Sequence, residues 1–254
     1  MLTHKSTIRP DGRQLSCNCQ EPMDEDRLED HRSPGPDGAG TAASAARKGA
    51  NRVHRRAWGS EIQDRSEQFH LKRQVVIQTA ARTFNERGFY KTTLADIAEE
   101  LHIAKPTIYH YFKNKDEILF ECHRIGIEQI TGKPLPERVN GVSQLKEFIE
   151  RYVRMVVSDF GTCLVLTGTT ALEPQNRDVV RRGRKQIDNM LRDIIARGIA
   201  DGSILPCDPK TTASFIFGQM NWIPYWYHSD GEVSVDELVE RQIEFVMRSL
   251  TRQK

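Results

Sequence analysis

Apolar residues in the segment 93–115 follow the spacing of two short helices joined by a tight turn. The first helix has one apolar face, with positions i, i+3, i+4 and i+7 occupied by Leu94, Ile97, Ala98 and Leu101. Thr93 precedes this face and is predicted to cap the helix, since its hydroxyl can accept from an unpaired backbone N–H. The pattern breaks over 102–104. Lys105-Pro106 then predicts a second helix, because proline fits a first helical turn.

The same helical periodicity extends on both sides of this segment. Helices are predicted over 69–86 and 116–130, and a break rich in proline and glycine follows at 131–136. Beyond the break, apolar stripes predict helices over 143–160, 161–172, 174 to about 198–202, 210–228 and 235–250. No run alternates with period two. The predicted fold class is therefore all-α, with a three-helix helix-turn-helix domain followed by a larger all-helical domain.

Residues 1–65 contain few large apolar side chains and are rich in Gly, Pro, Ser, Arg and Asp. Such a segment buries too little apolar area to offset its ordering entropy, which predicts a disordered N-terminal extension. Between Arg47 and Arg56 the extension is basic, as in a solvated tail or in an arm that contacts phosphates or a minor groove. The predicted domains are thus 1–65, the helix-turn-helix domain over 66–131 and the helical domain over 132–254.

The second helix of the helix-turn-helix carries an unusual set of polar and aromatic residues on its outer side. Ile108 and Phe112 share its inner face. Its outer residues, the last of them near the edge, are Thr107, His110, Tyr111 and Tyr109. The flanking lysines are Lys105, Lys113 and Lys115. Such a surface suits a helix in the DNA major groove, where polar side-chain ends reach bases and phosphates. A helical pair that contacts only another protein is the alternative.

Composition narrows the classes of function. The chain has 254 residues and a formal net charge of +2, so any attraction to nucleic acid must be local. Its five cysteines are irregularly spaced, which favours a reduced, cytoplasmic protein over a disulfide framework or a zinc site. No apolar run reaches the roughly 18 residues needed to cross a bilayer. The sequence has no glycine-rich phosphate loop, His-x-x-x-His pair or nucleophile elbow, so we predict no enzyme, cofactor, metal site or membrane association.

Four short motifs follow one another between residues 97 and 117, namely Ile97-Ala98, Ala104-Lys105, Tyr109-His110-Tyr111-Phe112 and Lys115-Asp116-Glu117. With the preceding stretch AARTFNERGFYKTT, they resemble the TetR family of bacterial transcriptional regulators. The resemblance covers residues 69–119, about a fifth of the chain. Pro106 departs from the family pattern, which often has glycine there. The resemblance implies a cytoplasmic homodimer that binds a double-stranded DNA operator and responds to a small-molecule effector.

The resemblance also implies roles for individual residues. Thr93 and Tyr111 would contact phosphate. The residues that would contact bases or phosphates are Lys105, Thr107, Tyr109 and His110. Lys115 would anchor a phosphate from the start of the fourth helix, whereas Ile108 and Phe112 would belong to the core.

Two apolar stripes in the last two helices predict a four-helix bundle across the twofold axis of a homodimer. The stripe of the final helix consists of Val235, Leu238, Val239, Ile243, Val246, Met247 and Leu250. The stripe of the preceding helix consists of Ala213, Ile216, Phe217, Met220 and Ile223. The alternative is that both stripes serve the core of one subunit.

Aromatic residues cluster between 219 and 228, where Pro224 should kink or loosen the helix. A kinked aromatic helix can line a small-molecule pocket, although such residues also serve cores and interfaces. The expected ligand-binding residues are Asn221, Trp222, Tyr225 and Trp226. The Asn-Trp and Trp-Tyr pairs resemble family members that respond to acyl-coenzyme A thioesters. The cations available for the phosphates of such a ligand are Arg177, Arg181 and Arg184, unless they form a solvated helix face.

The predicted function is a repressor that binds a palindromic operator as a dimer and is released by a small apolar effector. An acyl-coenzyme A thioester is one candidate for that effector. Within regulation, an activator or a ligand-independent regulator is the alternative. Outside regulation, the alternative is a protein-interaction module.

Overall fold

The computed structural model describes residues 57–252, with side chains from Arg65 onward. Within this range the chain is all-α, as predicted. The helices are α1 (Ala57–Arg87), α2 (Leu94–Glu100), α3 (Lys105–Ile108), α4 (Lys115–Thr131), α5 (Gly141–Val156), α6 (Asp159–Leu166), α7 (Pro174–Ala200), α8 (Pro209–Trp222) and α9 (Val235–Leu250). Two 3₁₀ turns span Thr169–Ala171 and Ile223–Tyr225. Of the predicted N-terminal extension, residues 1–56 lie outside the described range, and residues 57–65 form the start of α1.

Short polar side chains set where most helices begin. The residues whose side chains accept a backbone N–H three positions on are Thr93, Asn114, Asn140, Ser158, Asp208 and Ser234. Proline occupies the first turn of α3, α7 and α8, where its missing N–H costs no hydrogen bond. These local signals explain why the predicted helix over 235–250 is confirmed without a shift.

Four predicted helices end earlier than expected. The helix predicted over 143–160 is α5, which ends at Val156. The helix predicted over 161–172 is α6, which begins after its cap Ser158 and ends at Leu166, because Thr167 adopts an extended backbone. The helix predicted over 210–228 ends at Trp222 and passes into a 3₁₀ turn that contains Pro224. The helix predicted from Lys105 is regular only as far as Ile108 and continues as turns.

One apolar core holds α1, α2, α3 and the first half of α4 together. Its largest buried side chains are Ile77, Phe84, Ile97, Ile108, Phe112, Ile118 and Leu119. The helix α4 then continues and packs against α6 and α7, so it belongs to both parts of the molecule. A movement of α4 relative to α6 or α7 would therefore change the position of the helix-turn-helix.

The larger part is a bundle in which α5 packs against α7 and α9, and α7 packs against α8. The helices α5 and α7 approach most closely where Gly141 meets Gly198, since a Cβ added at Gly141 would lie 2.2 Å from the Gly198 Cα. Asp201 and Ser203 complete this junction by accepting from the backbone N–H groups of Gly141 and Val142 at 2.7 and 3.1 Å. None of the described helices has the length and apolar character that a membrane span requires.

The glycine contact between α5 and α7 yields a stability prediction. Gly141→Ala should lower the free energy of unfolding by about 2 kcal/mol or more, because the new methyl group forces two backbones apart. Gly218→Ala is the matched control. Outside the backbone of α8 and the adjacent residues, no atom of the described residues lies within 4 Å of its added Cβ, so it should be neutral or stabilise α8 by up to about 1 kcal/mol. Urea denaturation of both variants compares the two values, and equal destabilisation would contradict the close contact.

Candidate DNA-reading surface and effector cavity

The start of α2 is fixed by a reciprocal hydrogen-bonded box between Thr93 and Asp96. The Thr93 hydroxyl accepts from the Asp96 N–H at 3.2 Å, and the Thr93 N–H donates to the Asp96 carboxylate at 2.7 Å. This backbone donor, followed by the Thr93 hydroxyl, lowers the pKa of Asp96 below its ordinary value. Thr93 is therefore the predicted N-cap, and its exposed side chain remains at the surface.

The turn between α2 and α3 depends on a left-handed residue. His102 adopts φ 53°, the His102 N–H donates to the Glu99 carbonyl, and the Ile103 N–H donates to the Ala98 carbonyl at 3.0 Å. This pair of bonds is the Schellman arrangement, which usually has glycine where His102 stands. The turn directs the chain into α3 with Lys105 as its first residue and Pro106 next.

Buried side chains hold α3 against the module. Ile108 and Phe112 are almost fully buried, as the sequence pattern predicts. The guanidinium of Arg73 lies 4.6 Å above the Phe112 ring and pairs with Glu121 at 3.3 Å. This packing fixes which residues of the 105–112 segment face solvent.

The outer surface of the segment 105–112, which we call the reading surface, differs from the prediction at its two tyrosines. Lys105, Tyr109 and His110 are exposed, and Thr107 is half-buried. Tyr109 was placed at the edge but is 52% exposed. Tyr111 was placed outward but is half-buried, because its ring packs 5.0 Å from the Phe69 ring of α1.

Lys115 lies at the start of α4 and binds the loop before α2. Its ammonium donates to the carbonyls of Phe89 and Thr92, both at 2.7 Å, and lies 4.3 Å from the centre of the Phe89 ring. Partial burial lowers its pKa below the ordinary value for lysine. Two of its three N–H donors are thus used within the protein, and only the third is free for a phosphate.

A cavity of about 470 Å³ lies among α5, α6, α7 and α8, within the range typical of small-molecule sites. Its apolar wall includes Leu164, Val165, Ile187 and Phe217. The Tyr152 hydroxyl donates to the Asn221 side-chain oxygen at 2.8 Å, so these polar groups are oriented at the cavity. Burial raises the pKa of Tyr152 to about 12, which keeps its phenol neutral as a hydrogen-bond donor.

Arg184 gives the cavity a positive charge. Its guanidinium donates to the Leu164 carbonyl, while its buried Nε has no hydrogen-bond partner among the described residues. Desolvation lowers the pKa of Arg184 below its ordinary value, although the group stays charged at neutral pH. The cavity also contains Asp188, but this carboxylate pairs with Arg192 at 2.6 Å. The unpaired donor therefore favours a ligand with an acceptor or an anionic group.

Two acidic residues connect the helix-turn-helix to the helices of the cavity. Asp159, the first residue of α6, accepts from Gln78 and from Arg82 at 2.8 Å, and its carbonyl accepts from Asn85 at 2.9 Å. Asp116 of α4 accepts from the Glu173 N–H at 2.7 Å and from the Asn176 amide at 2.6 Å. The starts of α6 and α7 are thus bonded to α1 and α4 respectively.

The outer face of α8 and α9 exposes a second set of apolar residues. Phe215, Trp222 and Phe245 are 68%, 61% and 58% exposed. They line a groove of about 820 Å³ between the two helices. Exposed apolar surface of this kind commonly marks a protein–protein interface.

Two family models match this chain. Residues 76–122 match the model described as bacterial regulatory proteins of the tetR family, and residues 139–250 match the tetracyclin repressor-like C-terminal domain. Together the two matches cover more than half of the chain. This chain belongs to the TetR family. It is therefore a DNA-binding transcriptional regulator and not an enzyme, in agreement with the prediction.

Individual relatives agree with this assignment. The HTH-type transcriptional repressor KstR2 of Mycolicibacterium smegmatis is 28% identical over 194 residues, which cover 71% of this chain and 91% of KstR2. The crystal structure of the TetR-family regulator PfmR from Thermus thermophilus has a TM-score of 0.63 and 26% identity, covering 70% of this chain and 99% of PfmR. The structure of AibR with isovaleryl coenzyme A and operator DNA has a TM-score of 0.61 and 22% identity, covering 68% and 96%.

The structure brings together part of the predicted effector site of this TetR protein. Asn221, Trp222 and Tyr225 line the cavity, whereas Trp226 does not. Both tryptophans belong to the helix predicted over 210–228, but α8 ends at Trp222, so Trp226 lies outside it. Trp222 instead stacks on Tyr225 at 4.7 Å, and Trp226 contacts the Tyr227 ring edge-to-face at 6.1 Å.

Sequence reasoning missed one wall of the cavity and assigned the dimer stripes too broadly. Tyr152 lies in the helix predicted over 143–160 but is not among the expected ligand-binding residues. The arginine pattern indicates Arg184, which lines the cavity, whereas Arg177 bonds the Leu172 carbonyl and Arg181 is exposed. The two stripes predicted for the dimer are largely buried inside the subunit. The buried residues are Ala213, Ile216, Met220, Ile223, Leu238, Val239, Val246, Met247 and Leu250. The stripes therefore serve mainly the subunit core, although Ile216, Val246 and Leu250 also line the groove of the outer face.

Two lysines of the helix-turn-helix should respond differently to substitution. Lys115→Ala should lower the free energy of unfolding by about 2 kcal/mol, because it leaves the Phe89 and Thr92 carbonyls without their charged donor. Lys105→Ala should change that free energy by less than about 0.5 kcal/mol, since Lys105 is exposed. Urea denaturation measures both. A Lys115→Ala protein as stable as Lys105→Ala would show that the two carbonyl bonds are unimportant.

Proposed function

We propose that this TetR-family protein is a repressor that binds a palindromic operator as a homodimer and is released when a small apolar effector enters the cavity. The observation that carries the proposal is the direct bonding of α6 and α7, which line the cavity, to α1 and α4 of the helix-turn-helix. A ligand in the cavity that shifts α6 or α7 would therefore also shift the helix-turn-helix and its reading surface.

The reading surface supplies the DNA contacts in this proposal. The exposed side of the segment 105–112 presents the ammonium of Lys105, the hydroxyl of Tyr109 and the imidazole of His110. Thr93 and the half-buried Thr107 add hydroxyl groups at its margin. Tyr111 can offer only its hydroxyl, because its ring packs on Phe69, and Lys115 can offer only its third N–H. We therefore assign base or phosphate contacts first to Lys105, Tyr109 and His110.

A single reading surface contacts too few base pairs for tight binding, so two copies must act together. We assign the twofold interface to the outer face that contains Phe215, Trp222 and Phe245. The adjoining groove gives a partner apolar surface to cover, as expected in an obligate dimer interface.

The chemistry of the cavity favours an effector with an apolar body and a polar acceptor. Arg184 and the Tyr152 hydroxyl are donors, and no unpaired carboxylate among the described residues lines the cavity with them, which argues against a cationic ligand. An acyl thioester fits this description, because its carbonyl oxygen accepts hydrogen bonds and its acyl chain is apolar. AibR, which has the same fold, was crystallised with isovaleryl coenzyme A. We propose an acyl-coenzyme A thioester whose acyl end occupies the cavity and whose nucleotide remains outside.

Release would follow from different affinities of the effector for two arrangements of α4. Allosteric coupling of this kind is typically about 1–3 kcal/mol, which corresponds to a change in operator affinity of roughly 5- to 150-fold. Asp116 and Asp159 are the points through which a shift of α7 or α6 reaches the helix-turn-helix. The effector needs no contact with the DNA.

Removing the cation of the cavity should lower the affinity for the effector without lowering the affinity for DNA. Arg184→Met should raise the isovaleryl-coenzyme A concentration for half-release of operator DNA by about tenfold or more, since a charged hydrogen bond is lost. The control is Arg197→Met, which is exposed on the same helix and should leave release unchanged. Fluorescence anisotropy with a labelled duplex from upstream of the gene measures both. Unchanged release by Arg184→Met would remove Arg184 from the effector site.

Breaking the bond between α4 and α7 should reduce coupling. Asp116→Ala removes the acceptor of Glu173 and Asn176, so the effector should change operator affinity by a smaller factor than in the original protein. Operator affinity without effector and effector affinity without DNA should change much less than their coupling. Titrations of each ligand, alone and with the other, determine that factor. Full coupling in Asp116→Ala would exclude this route.

The proposed dimer interface can be tested with one charge. Phe245→Asp should convert the dimer into a monomer, because a carboxylate would be buried against apolar surface. Operator affinity should then fall by several orders of magnitude. Val179→Asp, an exposed apolar position on α7, is the control and should leave the dimer intact. Size exclusion with light scattering reports the mass. A monomer before any substitution would contradict the homodimer itself.

A further inference from the structure

Two cysteines from different helices meet in the core between α4 and α6. Cys122 of α4 and Cys163 of α6 are fully buried free thiols that interact with each other. The Cys122 thiol also donates to the Ile77 carbonyl at 3.7 Å, and the Cys163 sulfur lies 4.0 Å from the Thr167 hydroxyl oxygen. The backbones are also close here. One turn beyond Cys122, a Cβ added at Gly126 would lie 3.2 Å from the Phe160 carbonyl and 3.3 Å from Leu164. A disulfide needs such an approach, with Cα atoms about 4.4–6.8 Å apart.

A buried histidine without partners lies beside this pair. His123 is fully buried in α4, and neither ring nitrogen forms a hydrogen bond of normal geometry among the described residues. Leaving a buried polar group unpaired costs about 1–3 kcal/mol, so such a residue calls for an explanation beyond packing. His123 follows Cys122 in α4 and interacts with the Cys163 thiol, and an imidazole is a group that can accept a thiol proton.

The two thiols differ in their surroundings. Cys122 lowers the pKa of Cys163 by hydrogen bonding to it, and His123 lowers it further. Burial raises the pKa of Cys122, which therefore stays a thiol. Cys163 is thus the thiol that ionises first, and the thiolate is the form that reacts with oxidants. One reactive cysteine beside a second cysteine is the usual composition of a redox-sensitive pair.

We propose that Cys163, Cys122 and His123 form an oxidation site at which a hydroperoxide links α4 covalently to α6. In the first step the Cys163 thiolate attacks hydrogen peroxide, its proton having passed to His123. The O–O bond breaks, Cys163 becomes a sulfenic acid, and the departing hydroxide takes the proton from His123 as water. In the second step the Cys122 sulfur attacks the sulfenic sulfur and forms the disulfide. The sulfenic oxygen leaves as a second water, with the protons of both groups.

The effector cavity provides the approach to this site. Leu164 and Val165, the residues after Cys163 in α6, line that cavity, so we assign the approach of peroxide to this side of α6. The disulfide would fix α4 to α6 at the point where the helix-turn-helix joins the larger part. We therefore assign to oxidation the role of holding α4 in one arrangement. This consequence for effector release rests on the proposed function, whereas formation of the disulfide does not.

The test uses the full chain with its other three cysteines replaced, as Cys17→Ser, Cys19→Ser and Cys207→Ser. After treatment with hydrogen peroxide and quenching with catalase, we expect both remaining thiols to be lost and dithiothreitol to restore them. Peptide mapping without reductant should show Cys122 joined to Cys163. The thermal midpoint should rise on oxidation and fall back on reduction, because the link constrains the unfolded chain. Two thiols that stay reduced at a peroxide dose that oxidises glutathione would overturn the proposal.

Two variants separate the roles of the residues. Cys122→Ser should stop at the sulfenic acid, which dimedone would trap on Cys163. His123→Asn should oxidise more slowly at neutral pH and recover its rate at alkaline pH, where the thiol ionises without help. An equal rate at neutral pH would remove His123 from the site. Isovaleryl coenzyme A should no longer release operator DNA from the oxidised protein. If the disulfide forms and release persists, the oxidation site stands and its effect on α4 is wrong.

Discussion

Two adjacent side chains at the start of α4 form hydrogen bonds to two different parts of the molecule. Lys115 bonds two carbonyls of the loop that leads into α2, and Asp116 bonds the residues that begin α7. Both interactions involve a charged partner, and such hydrogen bonds are stronger than those between neutral groups. The position of the reading surface relative to the cavity therefore depends on α4 and on the packing of α1 against α6, where Asp159 lies.

The distribution of charge supports this division of labour. The chain is nearly neutral, so its attraction to DNA has to be local, and in our proposal it comes from the exposed donors of the reading surface. Inside the larger part, the acid that lines the cavity is paired, and Arg184 keeps an unpaired donor. A buried cation without a carboxylate is costly, which is consistent with a site completed by a ligand. Oxidation of Cys122 and Cys163 would also act on α4, through its contact with α6.

Local signals in the sequence were enough to predict the helix-turn-helix. The Thr93 cap and the inward positions of Ile108 and Phe112 depend on neighbours three or four residues away. Contacts between distant residues were not accessible in the same way. Tyr111 is half-buried because its ring packs against Phe69, and the Lys115 ammonium donates to the carbonyls of Phe89 and Thr92. For the cavity, Pro224 ended α8 early and so separated Trp226 from the other expected residues.

Coupling between the cavity and the reading surface is the central claim, and linkage gives its most direct test. Calorimetric titration of isovaleryl coenzyme A into the protein, with and without saturating operator duplex, measures effector affinity in both states. We expect the operator to lower the affinity for the effector by roughly 5- to 150-fold. The effector should lower the affinity for the operator by the same factor, because coupling free energy is reciprocal. Equal effector affinity in the two titrations would contradict the coupling through α4.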